Sequence, residues 1–403
     1  MIGPEKSGGA LDGLRVLDLT RILAGPLCGQ MLGDMGADVI KVEPPGTGDD
    51  TRTWGPPFTE SGESAYFLGI NRNKRSVTLN MASKAGQEIL AQLVQKADVV
   101  IENFKLGTLE KWGVTNQWLA QNAPRAIRCS ITGYGSSGPD AALPGYDFIL
   151  QAESGLMSIC GEPGGTPTKY GVAIVDVVTG LYACNSILAA LAARSRTGRG
   201  QHVEVCLYDS GIAMLINVAS NYLVSGKDAR RFGNGHPSVV PYTTYPTADN
   251  MIAVAAGNDG QFSRLAEVAG HPEWAKDARF AKNPARVANR DALDGMITQA
   301  LKKGKTAEWI SKLRAVGVPC GPINTVAQAL TDPHTLARDM VRTVKHATAG
   351  DLKVVGIPFR LNGTPATIRR PPPLLGPHTE EVLAGELGLT ATRIAQLKSE
   401  KVI

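Results

Sequence analysis

The chain has 403 residues, enough for a large core and two domains, and 42 Lys and Arg against 37 Asp and Glu give a formal charge of +5. This mild charge, with few aromatic residues and no basic stripe, argues against a nucleic-acid partner but would suit anionic small molecules. No apolar run approaches the roughly eighteen residues of a membrane span, so we expect neither nucleic acid nor a membrane as a partner.

Cysteine and histidine usage points away from a metal site. The six cysteines never form C-x-x-C, and the six histidines show neither H-E-x-x-H nor H-x-x-E-H spacing. Scattered cysteines in a chain of this length are typical of reduced thiols. We therefore expect no metal, and a cytoplasmic location or, for a processed eukaryotic protein, the mitochondrial matrix.

Short β-rich runs alternate with helical patterns in the first two hundred residues. The predicted strands are 15–20, 37–43, 76–81, 97–103 and 126–135. Between them, 25–36 is typical of a helix with Pro26 in its first position, and 84–96 has apolar residues on one face. This alternation predicts an α/β fold with a Rossmann-like open parallel sheet, whose ligands bind beyond the carboxyl ends of the strands.

The later part of the chain completes this domain and adds a smaller one. The elements predicted next are a helix over 177–194, a strand over 202–207 and a helix over 209–224. They close a large domain of residues 1–224, to which about 331–403 return. The polar, glycine-rich segment 225–242 is predicted to be a linker, and 243–330 a small α/β domain. Within the small domain we expect a strand over 251–256 and helices near 261–270, 291–302 and 306–316.

One carboxylate lies between two apolar runs. Asp176 follows the apolar stretch 172–175 and precedes a second one. Burying a carboxylate is costly unless it is hydrogen-bonded, paired or neutralised. Asp176 is therefore either a helix N-cap or a working group of a site. Because capping aspartates are much commoner than catalytic ones, the residue taken alone favours the cap.

Other polar clusters occur where such a sheet binds ligands. Segment 71–76 holds three basic residues before a strand, Asn103 and Phe104 follow a strand end, and Arg52 follows two acids. Each also fits an ordinary solvated loop, a strand-to-helix turn or a local charge pair. Segment 131–140 is rich in Gly and Ser but lacks the lysine of a phosphate-binding loop.

Ten segments spread along the chain form one pattern. They include "LDGLRVLDLTRILAGP" (11–26) and "GVAIVDVVTGLYA" (171–183), and the others are 32–52, 71–80, 100–109, 130–139, 145–148, 196–205, 317–323 and 370–383. In this order, over nearly the whole chain, they resemble the family III CoA-transferases of the CaiB/BaiF type. Three further segments are similar to the subgroup that acts between succinate and hydroxymethylglutarate or glutarate: 48–58, 63–76 and 231–242.

The resemblance implies a chemistry and an assembly. Asp176 would be the nucleophile, forming an acyl-aspartyl anhydride and then an aspartyl-CoA thioester. The CoA thioester would be a substrate rather than a cofactor, and no cofactor is implied. Succinyl-CoA would be the donor and a glutarate-like dicarboxylic acid the acceptor. The family forms interlocked homodimers, so the chain would pair with itself, each copy threading through the other.

Contacts to CoA can be carried over position by position. The resemblance implies Ile22, Ala24, Leu79, Asn103, Phe104, Lys111 and Tyr146. Two basic positions of the family are Pro44 and Ala82 here. Other cations would then hold the phosphates, and those proposed are Arg52, Lys74 and Arg75.

Two alternatives remain at this point. The family includes α-methylacyl-CoA racemases, which have a histidine before the aspartate where this chain has Gly145, Tyr146 and Asp147. Without that histidine, racemisation with two bases is poorly supported. A CoA-binding regulatory protein without turnover is the other alternative, and the intact Asp176 argues against it.

For the second carboxylate of a diacid, Arg52 and His236 are the proposed cations.

Overall fold

The computed structural model describes residues 8–403, and a six-stranded parallel sheet organises the larger part of them. Its strands are β1 (Arg15–Asp18), β2 (Asp38–Glu43), β3 (Lys74–Thr78), β4 (Val99–Glu102), β5 (Ile127–Thr132) and β6 (His202–Cys206). They lie in the order β3-β2-β1-β4-β5-β6, with Val16 opposite both Val39 and Val99. The predicted α/β fold with a parallel sheet is confirmed. The order changes direction between β1 and β4, where sheets of this kind bind ligands.

Helices cover both faces of this sheet. In chain order the helices are α1 (Ala24–Asp34), α2 (Ala65–Gly69), α3 (Lys84–Gln95), α4 (Thr108–Lys111), α5 (Asn116–Asn122), α6 (Asp147–Glu153), α7 (Leu156–Ile159), α8 (Ile174–Thr197), α9 (Leu207–Ala213), α10 (Ile216–Ser225), α11 (Asp259–Val268), α12 (Asn283–Ala288), α13 (Arg290–Leu301), α14 (Thr306–Ala315), α15 (Val326–Thr331), α16 (Pro333–Ala337), α17 (Thr379–Gly385) and α18 (Ala391–Ser399). Because successive strand residues point to opposite faces, Val16 packs in an apolar cluster with α1 and α8, whereas Leu17 packs in one with α3, α17 and α18.

The boundaries of several predicted elements need correction. Helix α1 begins at Ala24, so Pro26 is its third residue and not its first. Strand β3 spans Lys74–Thr78 rather than 76–81, because its charged first residues are buried beside carboxylates of other strands. The helix predicted over 209–224 is two helices, α9 and α10, and Ile216 has a φ of 39° where the second begins. Apolar periodicity continues across this break, so the sequence gives no sign of it.

Helix α8 is the central helix of the larger unit. It packs against α1, β5 and β6, and the buried residues along it include Val175, Thr179, Ala183, Ile187 and Ala190. Its 24 residues are also long and apolar enough to cross a membrane by length and composition, a test that core helices of soluble proteins pass as well. Its packing accounts for the apolar residues on its buried side, whereas Leu181 and Tyr182 are 44% and 41% exposed.

The described chain divides into two compact units. The first holds residues 8–156, 169–219 and 333–403, and the second holds 157–168 and 220–332. Residues 225–242, which we predict to be a linker, are therefore counted in the second unit.

The second unit has its own sheet and core. Strands β7 (Tyr242–Pro246), β8 (Met251–Ala255) and β9 (Cys320–Pro322) form an antiparallel sheet in that order. Helices α11, α13 and α14 cover it, close to the ranges predicted for the three helices. Tyr245 and Phe262 are among the side chains buried in its core.

The last part of the chain returns to the first unit. Strands β10 (Val341–His346) and β11 (Gly350–Val355) form an antiparallel hairpin. Val382 of α17 and Leu397 of α18 are fully buried in the cluster that also contains Leu79 and Leu90. The end of the chain thus packs beside the carboxyl end of β3.

Candidate active site

The first turn of α8 carries Asp176. The helix begins at Ile174, so Asp176 is its third residue, and Ala173 in the N-cap position makes no side-chain cap. The cap comes instead from Asp147, the first residue of α6. Its Oδ1 accepts hydrogen bonds from the backbone N–H of Val175 at 2.8 Å and of Asp176 at 3.3 Å. The interpretation of Asp176 as an N-cap is therefore wrong, because Asp147 satisfies these amides.

Asp147 is itself held in place by a chain of hydrogen bonds. Its Oδ2 accepts from Nε2 of Gln151 at 2.6 Å, and Oε1 of Gln151 accepts from the backbone N–H of Tyr170 at 2.8 Å. Gln151 is buried. Asp147 therefore has a fixed position against the start of α8.

Asp176 lines a cavity of about 470 Å³, here called the Asp176 cavity. The cavity is lined mainly by residues 21–24, 103–106, 131–133 and 141–146, which lie at or after the carboxyl ends of β1, β4 and β5. The carboxylate is half-buried, and within residues 8–403 no group donates a hydrogen bond to it. Burial and, after it, the charge of Asp147 raise the pKa of Asp176 to about 7. Near neutral pH this carboxylate is thus partly ionised and poorly solvated, which suits a nucleophile.

The loop after β1 forms one wall in a strained conformation. Ile22 has a φ of 74°, a value that β-branched residues rarely adopt. Its backbone N–H donates to Oδ1 of Asp49 at 3.3 Å, and Asp49 is paired with the fully buried Lys41 at 2.9 Å. A buried ion pair thus supports the strained loop at the cavity. Ala24, the first residue of α1, also lines the cavity.

A side chain after β4 joins the two loops at the switch point of the sheet. Oδ1 of Asn103 accepts from the backbone N–H of Arg21 at 3.0 Å, and its Nδ2 donates to the Arg21 carbonyl at 2.8 Å. Phe104 and Tyr146 line the same cavity, and 61% of Tyr146 is exposed. The structure thus brings together Asp176 and five of the predicted contacts, which are Ile22, Ala24, Asn103, Phe104 and Tyr146.

Comparisons with known proteins give the family. Residues 11–379 match the family model described as CoA-transferase family III. The chain belongs to that family. Succinate–glutarate CoA-transferase of Agrobacterium fabrum is 44% identical over 93% of this chain and 95% of that protein, and succinyl-CoA:glutarate CoA-transferase of Homo sapiens is 41% identical over 98% and 90%. The crystal structure of a CAIB/BAIF family protein from Brucella suis is 46% identical, with a TM-score of 0.83 over 94% of this chain and 99% of that one.

In this CoA-transferase, the cations proposed for the phosphates lie in ion pairs. Nζ of the fully buried Lys74 donates to Asp18 at 2.8 Å, and burial lowers the pKa of Lys74 to about 8. Arg75 and Arg52 are paired in the same way, with Asp38 at 2.6 Å and with Glu43 at 2.7 Å respectively. Lys74, Arg75 and Arg52 do not line the Asp176 cavity. Their charges are neutralised within the packed sheet, and removal of one partner would leave an unpaired buried charge.

The remaining predicted residues of this CoA-transferase lie elsewhere. Leu79 lines a second cavity of about 780 Å³, and so do Pro44 and Ala82. Lys111 is exposed at the end of α4 and lines neither cavity. His236 lies in the second unit, where its Nδ1 accepts from the backbone N–H of Ser238 at 3.1 Å.

Sequence reasoning missed three polar residues of this CoA-transferase site. Asp147 caps the helix of Asp176, and Arg21 and Lys105 are the cations that line the Asp176 cavity. Arg21 pairs with Asp50 at 3.2 Å, with both side chains about half exposed. A signal was present, because each residue lies within a segment of the family pattern: Arg21 in 11–26, Lys105 in 100–109 and Asp147 in 145–148. In the described part of the chain, no cluster of three His, Cys, Asp or Glu side chains could hold a metal ion.

Proposed function

We propose that this CoA-transferase moves CoA from succinyl-CoA to glutarate or a similar short diacid, with Asp176 as the nucleophile. The observation that carries the proposal is the Asp176 carboxylate, which faces a cavity without a hydrogen-bond donor among the described residues. The two relatives that act between succinate and glutarate, at 44% and 41% identity, support the choice of acids.

Each step of the proposed reaction exchanges one acyl bond for another. An oxygen of Asp176 attacks the thioester carbonyl of succinyl-CoA, the C–S bond breaks, and an anhydride and CoA thiolate result. The thiolate then attacks the Asp176 carbonyl of the anhydride and releases succinate, which leaves an aspartyl-CoA thioester. The acceptor carboxylate attacks this thioester and re-forms an anhydride and thiolate. Attack of the thiolate on the acceptor carbonyl gives the new acyl-CoA and restores Asp176.

The surroundings of Asp176 fit this sequence. Burial raises the free energy of the ionised carboxylate, so attack on a thioester relieves that cost. The anhydride would be lost to hydrolysis if water entered freely, and bound CoA in the cavity would exclude it. Asp147 holds the first turn of α8 through two amides, so the nucleophile would keep its position through all four steps.

A diacid needs a partner for its second carboxylate. Arg52 is already engaged with both oxygens of Glu43, at 2.7 and 2.8 Å, and His236 belongs to the second unit. Within the Asp176 cavity the cationic side chains are Arg21 and Lys105. We therefore assign the distal carboxylate to Arg21, whose pair with Asp50 at 3.2 Å is about half exposed, in place of the more buried Arg52.

If a cation holds the distal carboxylate, glutarate should accept CoA better than valerate, a monoacid of equal length. The expected preference in kcat/KM is at least about tenfold, because the monoacid leaves a polar partner unsatisfied. Initial rates with succinyl-CoA as donor, followed by mass spectrometry of the products, measure it. Equal rates would remove the diacid proposal and leave the general CoA-transferase.

We also propose an interlocked homodimer. Ile216, Leu223 and Val224 of α10 are 72%, 80% and 89% exposed, more apolar surface than a single helix usually presents to water. A partner copy would cover this surface. Light scattering at micromolar concentration should give twice the 42.6 kDa of one chain. A monomeric mass would contradict the dimer without affecting the assignment of Asp176.

A further inference from the structure

The second cavity, here called the outer cavity, adjoins the first. It measures about 780 Å³ and lies beyond the carboxyl ends of β1, β2 and β3. Arg21, Phe104 and Lys105 line both cavities, whereas Asp176 lines only the first. A long ligand that reacts at Asp176 would therefore pass Arg21 and Lys105 and end in the outer cavity.

The lining of the outer cavity is suited to an anion. Its cations are Arg21, Lys105, Lys398 and Lys401, and it contains no acidic residue. Pro44 and Ala82, which stand where the family pattern has cations, line this same cavity. The positive charge of its far part thus comes from the end of the chain.

The position of Lys401 is fixed by the turn that ends α18. The backbone N–H of Lys401 donates to the Lys398 carbonyl at 3.0 Å, and that of Val402 donates to the Leu397 carbonyl at 2.9 Å. These two bonds form a Schellman motif. The carbonyl of Val402, a buried residue, accepts from the backbone N–H of Asn80 at 2.7 Å, which ties the turn to the loop after β3.

Lys401 occupies a position that favours glycine. Its φ is 55°, in the left-handed region that residues with a Cβ adopt at a cost. Lys398 pairs with Glu380, whereas Lys401 forms no ion pair with any carboxylate of the described chain. A strained residue with an unpaired charge at a cavity is a candidate for ligand binding.

We propose that Lys401, assisted by Lys398, binds the 3′-phosphate of CoA; this rests on the proposed function, in which CoA reacts at Asp176. Lys105 lines both cavities and would meet the pyrophosphate in the middle of CoA. Lys398 and Lys401 line the outer cavity alone. They therefore face the far, nucleotide end, where the 3′-phosphate carries the charge that a lysine ammonium recognises.

The test compares CoA with 3′-dephospho-CoA by calorimetric titration, which requires no turnover. The wild type should bind CoA at least about tenfold more tightly, as expected for one charge-assisted contact. Lys401→Gly should lower the affinity for CoA about tenfold and change the affinity for 3′-dephospho-CoA less than twofold. Its unfolding temperature should rise, because glycine adopts this φ without strain. The double variant with Lys401→Gly and Lys398→Ala should bind CoA still more weakly.

A matched control removes one exposed lysine away from the cavity. Lys96, exposed at the end of α3, serves this purpose, and Lys96→Ala should bind both ligands as the wild type does. The assignment of Lys401 would be overturned if Lys401→Gly lost affinity equally for both ligands or lost none for CoA. It would also be overturned if Lys96→Ala lost as much affinity for CoA as Lys401→Gly. Failure of the wild type to bind either ligand would contradict the proposed function as well.

Discussion

Asp176→Asn is expected to abolish CoA transfer, lowering kcat by at least about 10⁴-fold. A neutral amide cannot form the anhydride at a useful rate. The fold should persist, because Asp147 and not Asp176 caps α8. Initial rates with succinyl-CoA and glutarate measure the loss, and circular dichroism monitors the fold.

The covalent route also predicts that an intermediate can be trapped in the wild type. With succinyl-CoA present and no acceptor, hydroxylamine or borohydride should trap an activated carboxyl at Asp176. Peptide mapping should place the adduct within 170–194, between the tryptic sites Lys169 and Arg194. Substantial turnover by Asp176→Asn, or an adduct on another carboxylate, would contradict the assignment of Asp176 as the nucleophile.

The same variant should gain stability in a pH-dependent way. Because the pKa of Asp176 is raised from 3.8 to about 7, the folded chain holds this proton more tightly than the unfolded chain between those values. The free energy of unfolding of the wild type is therefore lowered as pH rises from about 4 to 7, and stays lower above 7. Asp176→Asn should match the wild type near pH 4 and exceed it at pH 8 by on the order of 1–3 kcal/mol, allowing for partial exposure. Urea titrations at both pH values measure the difference.

The sheet could be predicted from the sequence because its signals are local. Apolar runs alternate with helical periodicity, and the range predicted for α3 differs from the observed one by a single residue. Asp176 stood out for the same reason, as a charge between two apolar runs. Its cap could not be predicted, since Asp147 is 28 residues away from Val175, and the orientation of α6 decides the contact.

The buried cations show where local signals mislead. We propose Lys74 and Arg75 as phosphate contacts from the sequence because two basic positions of the family pattern are Pro44 and Ala82 here. Their partners Asp18 and Asp38 are on other strands, and the register of the sheet brings them together. Lys401 reaches the outer cavity only because α18 packs beside β3, a tertiary contact that periodicity does not reveal.

The charge of Asp147 should add to the effect of burial in raising the pH at which the enzyme becomes active. Asp147→Asn keeps an oxygen for the amides of Val175 and Asp176 but removes the negative charge beside the nucleophile. Its Nδ2 also replaces the oxygen that accepts from Nε2 of Gln151, so this one hydrogen bond is lost. The pKa of Asp176 should then fall, while burial still keeps it above its usual 3.8. Since the ionised form attacks, kcat/KM rises with pH through this pKa in the wild type. In the variant this rise should move down by about one pH unit or more, so that relative activity near pH 6 increases about fivefold or more.

The matched variant Asp147→Ala separates charge from capping. It loses the oxygen as well, so it should shift the profile in the same direction but also lose about 1 kcal/mol of stability and some kcat, because the first turn of α8 is released. Profiles of kcat/KM from about pH 5 to 9, with urea titrations of both variants, measure the two effects. An unchanged profile in Asp147→Asn would mean that burial alone holds the pKa of Asp176 near 7. A loss of stability as large as that of Asp147→Ala would show that the asparagine does not preserve the cap.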